Sequence, residues 1–166
     1  MSITINASAI LNNLTANNSY AFSSTKRIVK YNSDADETRQ SASSLKHKLR
    51  SLKDIDTSDG PTARTQNKIN SFVNTYNDLM SSASGITGSK KLTKYMDKMD
   101  SLFSEYEDSL KSLGITRTST NRLKFDTTNF SDVTSAKLDA VFGEDEHFVN
   151  DSINMPKLFL LLRSRL

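Results

Sequence analysis

Apolar residues recur at steps of three and four through the middle of the chain. One set is Ile69, Phe72, Val73, Tyr76, Leu79, Met80 and Ala83, and a second runs from Leu92 through Tyr95, Met96, Met99, Leu102, Phe103, Tyr106 and Leu110 to Leu113. Each set forms one stripe on a helix of 3.6 residues per turn, so two long amphipathic helices are predicted. Pro61 after Gly60 suits the first turn of the first helix, because its fixed φ is pre-set for helix and its missing N–H is not needed there. The connection over 84–89 is short enough to fold the pair into an antiparallel hairpin.

The flanks read differently. Over 34–56 a narrow stripe of Ala42, Leu45, Leu49 and Leu52 predicts a third helix, with Asp34 as its cap and Asp36 and Glu37 in the first turn, where the helix dipole favours acids. Its basic residues Lys46, Lys48, Arg50 and Lys53 gather toward the C-terminal end and read as a solvated face. Residues 2–31 are weakly periodic. Ile3 and Ile5 alternate like a short strand, Ile10, Leu11 and Leu14 look helical, and the asparagines at 12, 13, 17 and 18 are poor helix formers that need tertiary support.

Downstream, Gly114 caps the second long helix. Residues 115–118 and 122–125 then alternate as half-buried strands, with Asn121 in the turn able to take the left-handed conformation. Asp126, Thr127 and Thr128 offer caps for a following helix that buries Phe130, Val133, Leu138, Val141 and Phe142 and ends at Gly143. Pro156 starts a last short helix, and the tail to Leu166 is apolar around almost its whole circumference, so it must be covered by this chain or by another subunit. The predicted fold is mainly α, an elongated antiparallel helical bundle or coiled coil with one small β-hairpin. It divides into an N-terminal helical or flexible arm (1–58) and a unit of helical hairpin, β-hairpin and C-terminal helices (59–166).

Composition narrows the function classes. At 166 residues and 18.5 kDa the chain suffices for one core, and 36% hydrophobic residues without Trp favour a seam over a sphere. Serine, threonine and asparagine make up about a third of the sequence, while five Gly and two Pro argue against an all-β fold. The absence of Cys removes disulfide and thiolate chemistry. A net charge of +3, with acids and bases interspersed along the helices, does not make the one-sided basic face of a nucleic-acid binder. Residues 1–22 lack the basic start and continuous apolar core of a signal peptide, and the longest apolar run, 158–162, is too short to span a bilayer.

Candidate chemistry is sparse. His47 lies among lysines, and His147 follows the acids at 144–146 without the i, i+4 spacing of a zinc helix. No nucleophile elbow is present. The 85–91 loop lacks the Gly-Lys-Ser/Thr order of a phosphate loop and follows a helix rather than a strand. No catalytic, metal-binding or cofactor-binding residues are expected, and the chain reads as a non-enzyme.

Three pieces together resemble the C-terminal part of the flagellar hook-associated protein 2, or filament-cap, family. Phe72-Val73-Asn74-Thr75-Tyr76-Asn77-Asp78-Leu79 is similar to that family's Phe-Val-x-x-Tyr-Asn-x-Leu helix. Leu113-Gly114-Ile115 followed by Leu123-Lys124-Phe125-Asp126 resembles its hairpin, and the helix reaching Phe142 resembles the one that follows. The match covers about half of the chain. Family members are much longer, residues 1–60 do not match the N-terminal motif, and Asn121 stands where the turn usually has Gly. The motif residues are Phe72, Tyr76, Asn77, Leu113, Gly114, Ile115, Leu123, Asp126 and Phe142.

What the resemblance implies is a structural protein of the bacterial flagellum. It would be exported without a cleaved signal peptide, would be found outside the cell, and would pack on itself and on flagellar axial proteins, with no nucleic acid and no membrane insertion. Subunit contacts are expected at Ile10, Leu11 and Leu14 in the arm and at Leu158, Phe159, Leu161 and Leu162 in the tail. The alternative is a cytoplasmic helical adaptor or chaperone that holds a partner helix.

Overall fold

The computed structural model describes residues 7–128, 130–143 and 147–162, with the side chains of 7–14, 17 and 147 left aside. Seven α-helices carry these residues: α1 Ala7–Lys53, α2 Ala63–Ser84, α3 Lys90–Glu105, α4 Glu107–Ser112, α5 Ser135–Phe142, α6 His147–Ser152 and α7 Met155–Phe159. Between α4 and α5 lies the one sheet, strands β1 (Ile115–Arg117) and β2 (Leu123–Phe125), paired antiparallel with Thr116 opposite Lys124. The protein is mainly helical with a single small β-hairpin, as the patterns predict.

α1 is the largest departure. It is one helix of 47 residues, so Asp34 lies in its interior rather than at a cap. The Asp34 carboxylate accepts from Lys30 one turn earlier, at 3.3 Å. The expected strand at Ile3 and Ile5 lies outside the described residues.

The second half of α1 packs along α2, and small side chains at Ala35, Thr38 and Ala42, all fully buried, let the two backbones approach. Thr38 satisfies its hydroxyl by donating to the carbonyl of Asp34 at 2.7 Å. Residues 35–55 of α1 and its following turn share one continuous core with residues 69–162.

α2 starts two residues later than predicted, so Pro61 lies just outside the helix rather than in its first turn. The Thr62 hydroxyl caps it by accepting from the backbone N–H of Thr65, with Pro61 just ahead. Ser89 caps α3 in the same way through Leu92. The second amphipathic stretch does not run unbroken to Leu113: it breaks at Tyr106, whose φ of −103° and ψ of 14° leave helical geometry and redirect the last turns as α4.

The helix expected after Asp126 is also split. Phe130 and Val133 are buried in a 3₁₀ turn (Phe130–Asp132) and the residue after it. α5 begins later, capped by Thr134.

α2 meets α3 through aromatic rings. Phe103 stacks on Phe72 with centroids 6.5 Å apart and meets Tyr76 edge-on at 4.8 Å. Phe148 of α6 stands edge-on to Phe72 at 6.2 Å, to Phe103 at 5.8 Å and to Tyr106 at 5.4 Å. Such edge-to-face arrangements add to the stabilisation from burial, and they tie the C-terminal helices to the central pair.

Candidate interaction surface

The motif residues shared by the flagellar resemblance are far apart in sequence, yet most of them meet at one junction, where the β-hairpin is fastened to α2. Asn77 is the fastener. Its amide nitrogen donates to the carbonyl of Leu123 at 2.9 Å, and its amide oxygen accepts from the backbone N–H of the same residue at 2.9 Å. The side chain therefore acts as a neighbouring strand would, pairing both outward backbone groups of β2 at that residue.

Tyr76, one position earlier, donates its hydroxyl to the carbonyl of Asn121 at 3.1 Å. Burial pushes the Tyr76 phenol well above its ordinary range, so it stays a neutral donor. Asn121 sits in the left-handed region at φ 57°, the conformation expected of it at the turn.

Gly114 and Asp126 close the base of the hairpin. Gly114 has φ 82°, and its carbonyl accepts from the N–H of Asp126 at 2.9 Å. A Cβ on Gly114 would lie 2.7 Å from the Asp126 carbonyl oxygen, so only glycine fits that crossing. The Asp126 carboxylate accepts from the N–H of Thr128 at 3.0 Å, which holds its pKa below the usual carboxylate value.

Leu113, Ile115 and Leu123 fill the space beneath and are buried, as are Phe72 and, on α5, Phe142. On the flank, Arg117 pairs with the Asp100 carboxylate and reaches the Ser104 hydroxyl at 3.1 Å, pinning β1 to α3. The motif is thus a docking joint between helices and hairpin.

The tail residues divide. Phe159 is fully buried against Tyr95 of α3, with ring centroids 5.8 Å apart. Leu162 is buried too, and its carbonyl accepts from the Arg39 guanidinium at 2.6 Å. Leu158 is half-buried against the core. Leu161 alone of the four points out, with 56% of its surface exposed. Over residues 155–162 the cover that the apolar tail needs comes largely from α1 and α3 of the same chain.

In the arm, Ile10, Leu11 and Leu14 lie on α1 among the residues whose side chains are not described. Their apolar neighbours Tyr20, Phe22 and Val29, read in the sequence as part of the weakly periodic stretch, were not among the residues expected to make contacts. Tyr20, Phe22 and Val29 are 74%, 72% and 63% exposed, and of the described side chains from 15 to 30 only Ser24 is even half-buried. The signal was present in the spacing, but the asparagine and serine content hid it. Phe22 and Val29 lie close together round the helix, whereas Tyr20 lies on nearly the opposite side, so the exposed apolar groups of this half are spread around it rather than gathered in one patch.

His47 is exposed. Among the described residues no group of three or more His, Cys, Asp or Glu could hold a metal ion, and no helix is long and apolar enough to cross a membrane. The chain has no significant match to any protein-family model, curated protein or solved structure.

Proposed function

We propose that the chain is a non-enzymatic assembly protein of the bacterial flagellum, akin to the filament cap, which works through helix packing between subunits and onto flagellar axial proteins. The observation that carries this reading is the projecting first half of α1: a helix of about 36 Å from Ala7 to Lys30 that exposes large apolar groups while its second half is anchored in the core. The docking joint supports it further, because the residues that resemble the family have a common structural purpose here. They hold a hairpin rigidly against the helical pair.

The reading is tested by location. The native protein is traced in cell pellet, culture medium and sheared surface filaments, in cells with and without a working flagellar export apparatus. Export-dependent recovery with the filaments is the expected result. Retention in the cytoplasm under both conditions would overturn it in favour of an adaptor that holds a partner helix.

A further inference from the structure

α1 and α2 run antiparallel, with Lys68 near the start of α2 beside Asp54 and Gly85 after its end beside Asp34. On one side the pair leaves an open groove of about 480 Å³. Lys48 and Ser51 of α1 form one wall, and Arg64, Asn67, Lys68 and Ser71 of α2 form the other. These positions step by three and four, so each set holds to one face of its helix. The sequence groups Lys46, Lys48, Arg50 and Lys53 as a solvated face. Only Lys48 of the four lines the groove, and packing sets it across from two cations of the next helix.

No acid answers these charges. The stretches 46–53 and 63–77, which carry the two walls, hold six Lys or Arg and no Asp or Glu. Among the described residues no carboxylate forms an ion pair with Lys48, Arg64 or Lys68. Lys68 donates to the backbone carbonyl of Asp54 at 2.9 Å, a neutral acceptor that leaves its charge uncompensated. Arg64 stands in the first turn of α2, where the helix dipole disfavours a cation. Mutual repulsion and the dipole both work against this arrangement, and an anion in the groove reverses the sign of both.

We propose that the groove binds a short chain of phosphates, gripped by Lys48, Arg64 and Lys68. The lining sets the chemical class. Arg meets a phosphate through two parallel N–H donors, and Lys meets it as a point charge. Ser51, Asn67 and Ser71 supply neutral donors for the remaining oxygens. Neither an aromatic ring nor a large apolar side chain lines the groove, so nothing there stacks a nucleobase or anchors an apolar group. The length of the ligand is limited too. Along the same two helix faces the charge reverses at Asp34, Glu37 and Asp78, and Glu37 lies about 16 Å from Lys48 along α1. A long polyanion laid on the pair would meet those acids, whereas a short one occupies the basic end alone.

The inference goes beyond the assembly reading, and its test does not involve location. Inorganic triphosphate is titrated calorimetrically into the full-length protein at fixed ionic strength without divalent cations. Saturable binding at one site is expected, and ATP should match it within about twofold because only the phosphates are held. Lys48→Gln/Arg64→Gln removes two exposed cations and should weaken binding by about tenfold or more. Lys91→Gln/Lys94→Gln removes the same charge from exposed positions on α3 and should stay within about twofold of the parent. Circular dichroism checks that both variants keep the parent fold. Absence of saturable binding, or equal weakening in the α3 variant, would overturn the proposal. So would a marked preference for ATP, or tighter binding of duplex DNA than of triphosphate.

Discussion

Asn77 shows how much one side chain decides. It satisfies both outward backbone groups of Leu123, and Leu123 is buried. Asn77→Ala strands a donor and an acceptor, each worth about 1–3 kcal/mol when left unmade. We expect a loss of about 2–4 kcal/mol in denaturant unfolding, with the hairpin amides losing hydrogen-exchange protection first. Asn77→Asp should not restore stability, since a carboxylate can accept from the Leu123 N–H but repels its carbonyl.

The hydroxyl of Ser152 is the opposite case, a buried polar atom without a partner among Leu45, Phe72, Phe103 and Met155. Ser152→Ala removes that unmet group with little change of volume. It should stabilise the protein by about 1 kcal/mol, seen as a rise in unfolding midpoint at constant slope.

Asp56 and Asp126 carry carboxylates whose pKa values are lowered, mainly by hydrogen bonds from Ser58 and Thr128 respectively. Their folded pKa lies below the ordinary 3.8. The stability they lend is therefore complete above that value and is lost as pH falls through and below it. Asp56→Asn/Asp126→Asn should unfold with a shallower acid limb than the parent below about pH 4, and the two proteins should show parallel pH dependence at neutral pH.

At the scale of the element, α7 illustrates why apolar content alone does not reveal an interface. The tail was expected to be covered by its own chain or by a partner, and both answers suit the same residues. Phe159 and Leu162 are in the core while Leu161 faces out. Phe159→Ala should cost about 3–5 kcal/mol, the range for truncating a buried aromatic. Leu161→Ser should leave unfolding within about 0.5 kcal/mol of the parent. The contrast in urea midpoints checks both.

The helix end at Gly114 was legible because its capping chemistry stood in sequence, whereas the start near Pro61 was placed two residues early, since the cap is Thr62. The start at Asp34 was misjudged, because a carboxylate paired with Lys30 one turn earlier is also stable inside a helix. The interruption at Tyr106 had no local signal either. It follows from α4 packing on β1 and α5, which the spacing of Leu110 and Leu113 cannot distinguish from one straight stripe.

For the molecule as a whole, one continuous core spans residues 35–162, and a single cooperative transition is expected for it. Among the described side chains of the first half of α1, from 15 to 30, none belongs to that core. If neighbouring copies hold that half, its helix signal should melt at a temperature that rises with protein concentration, by mass action, while near-ultraviolet signals of the aromatic cluster stay fixed. Circular dichroism at several concentrations checks this, and concentration-independent melting of both signals would contradict it.

The sequence by itself determined the helical class, the hairpin with its turn at Asn121, and the stripes of α2 and α3. These depend on local chemistry: period, caps, and residues that tolerate a positive φ. The tertiary structure alone decided that α1 is continuous, that the tail folds back on its own chain, and that Asn77 ties a helix to a strand 46 residues away. Those outcomes turn on which surfaces meet. A stripe of three- and four-residue steps states only that one face must be covered, and the packing of the whole chain settles what covers it.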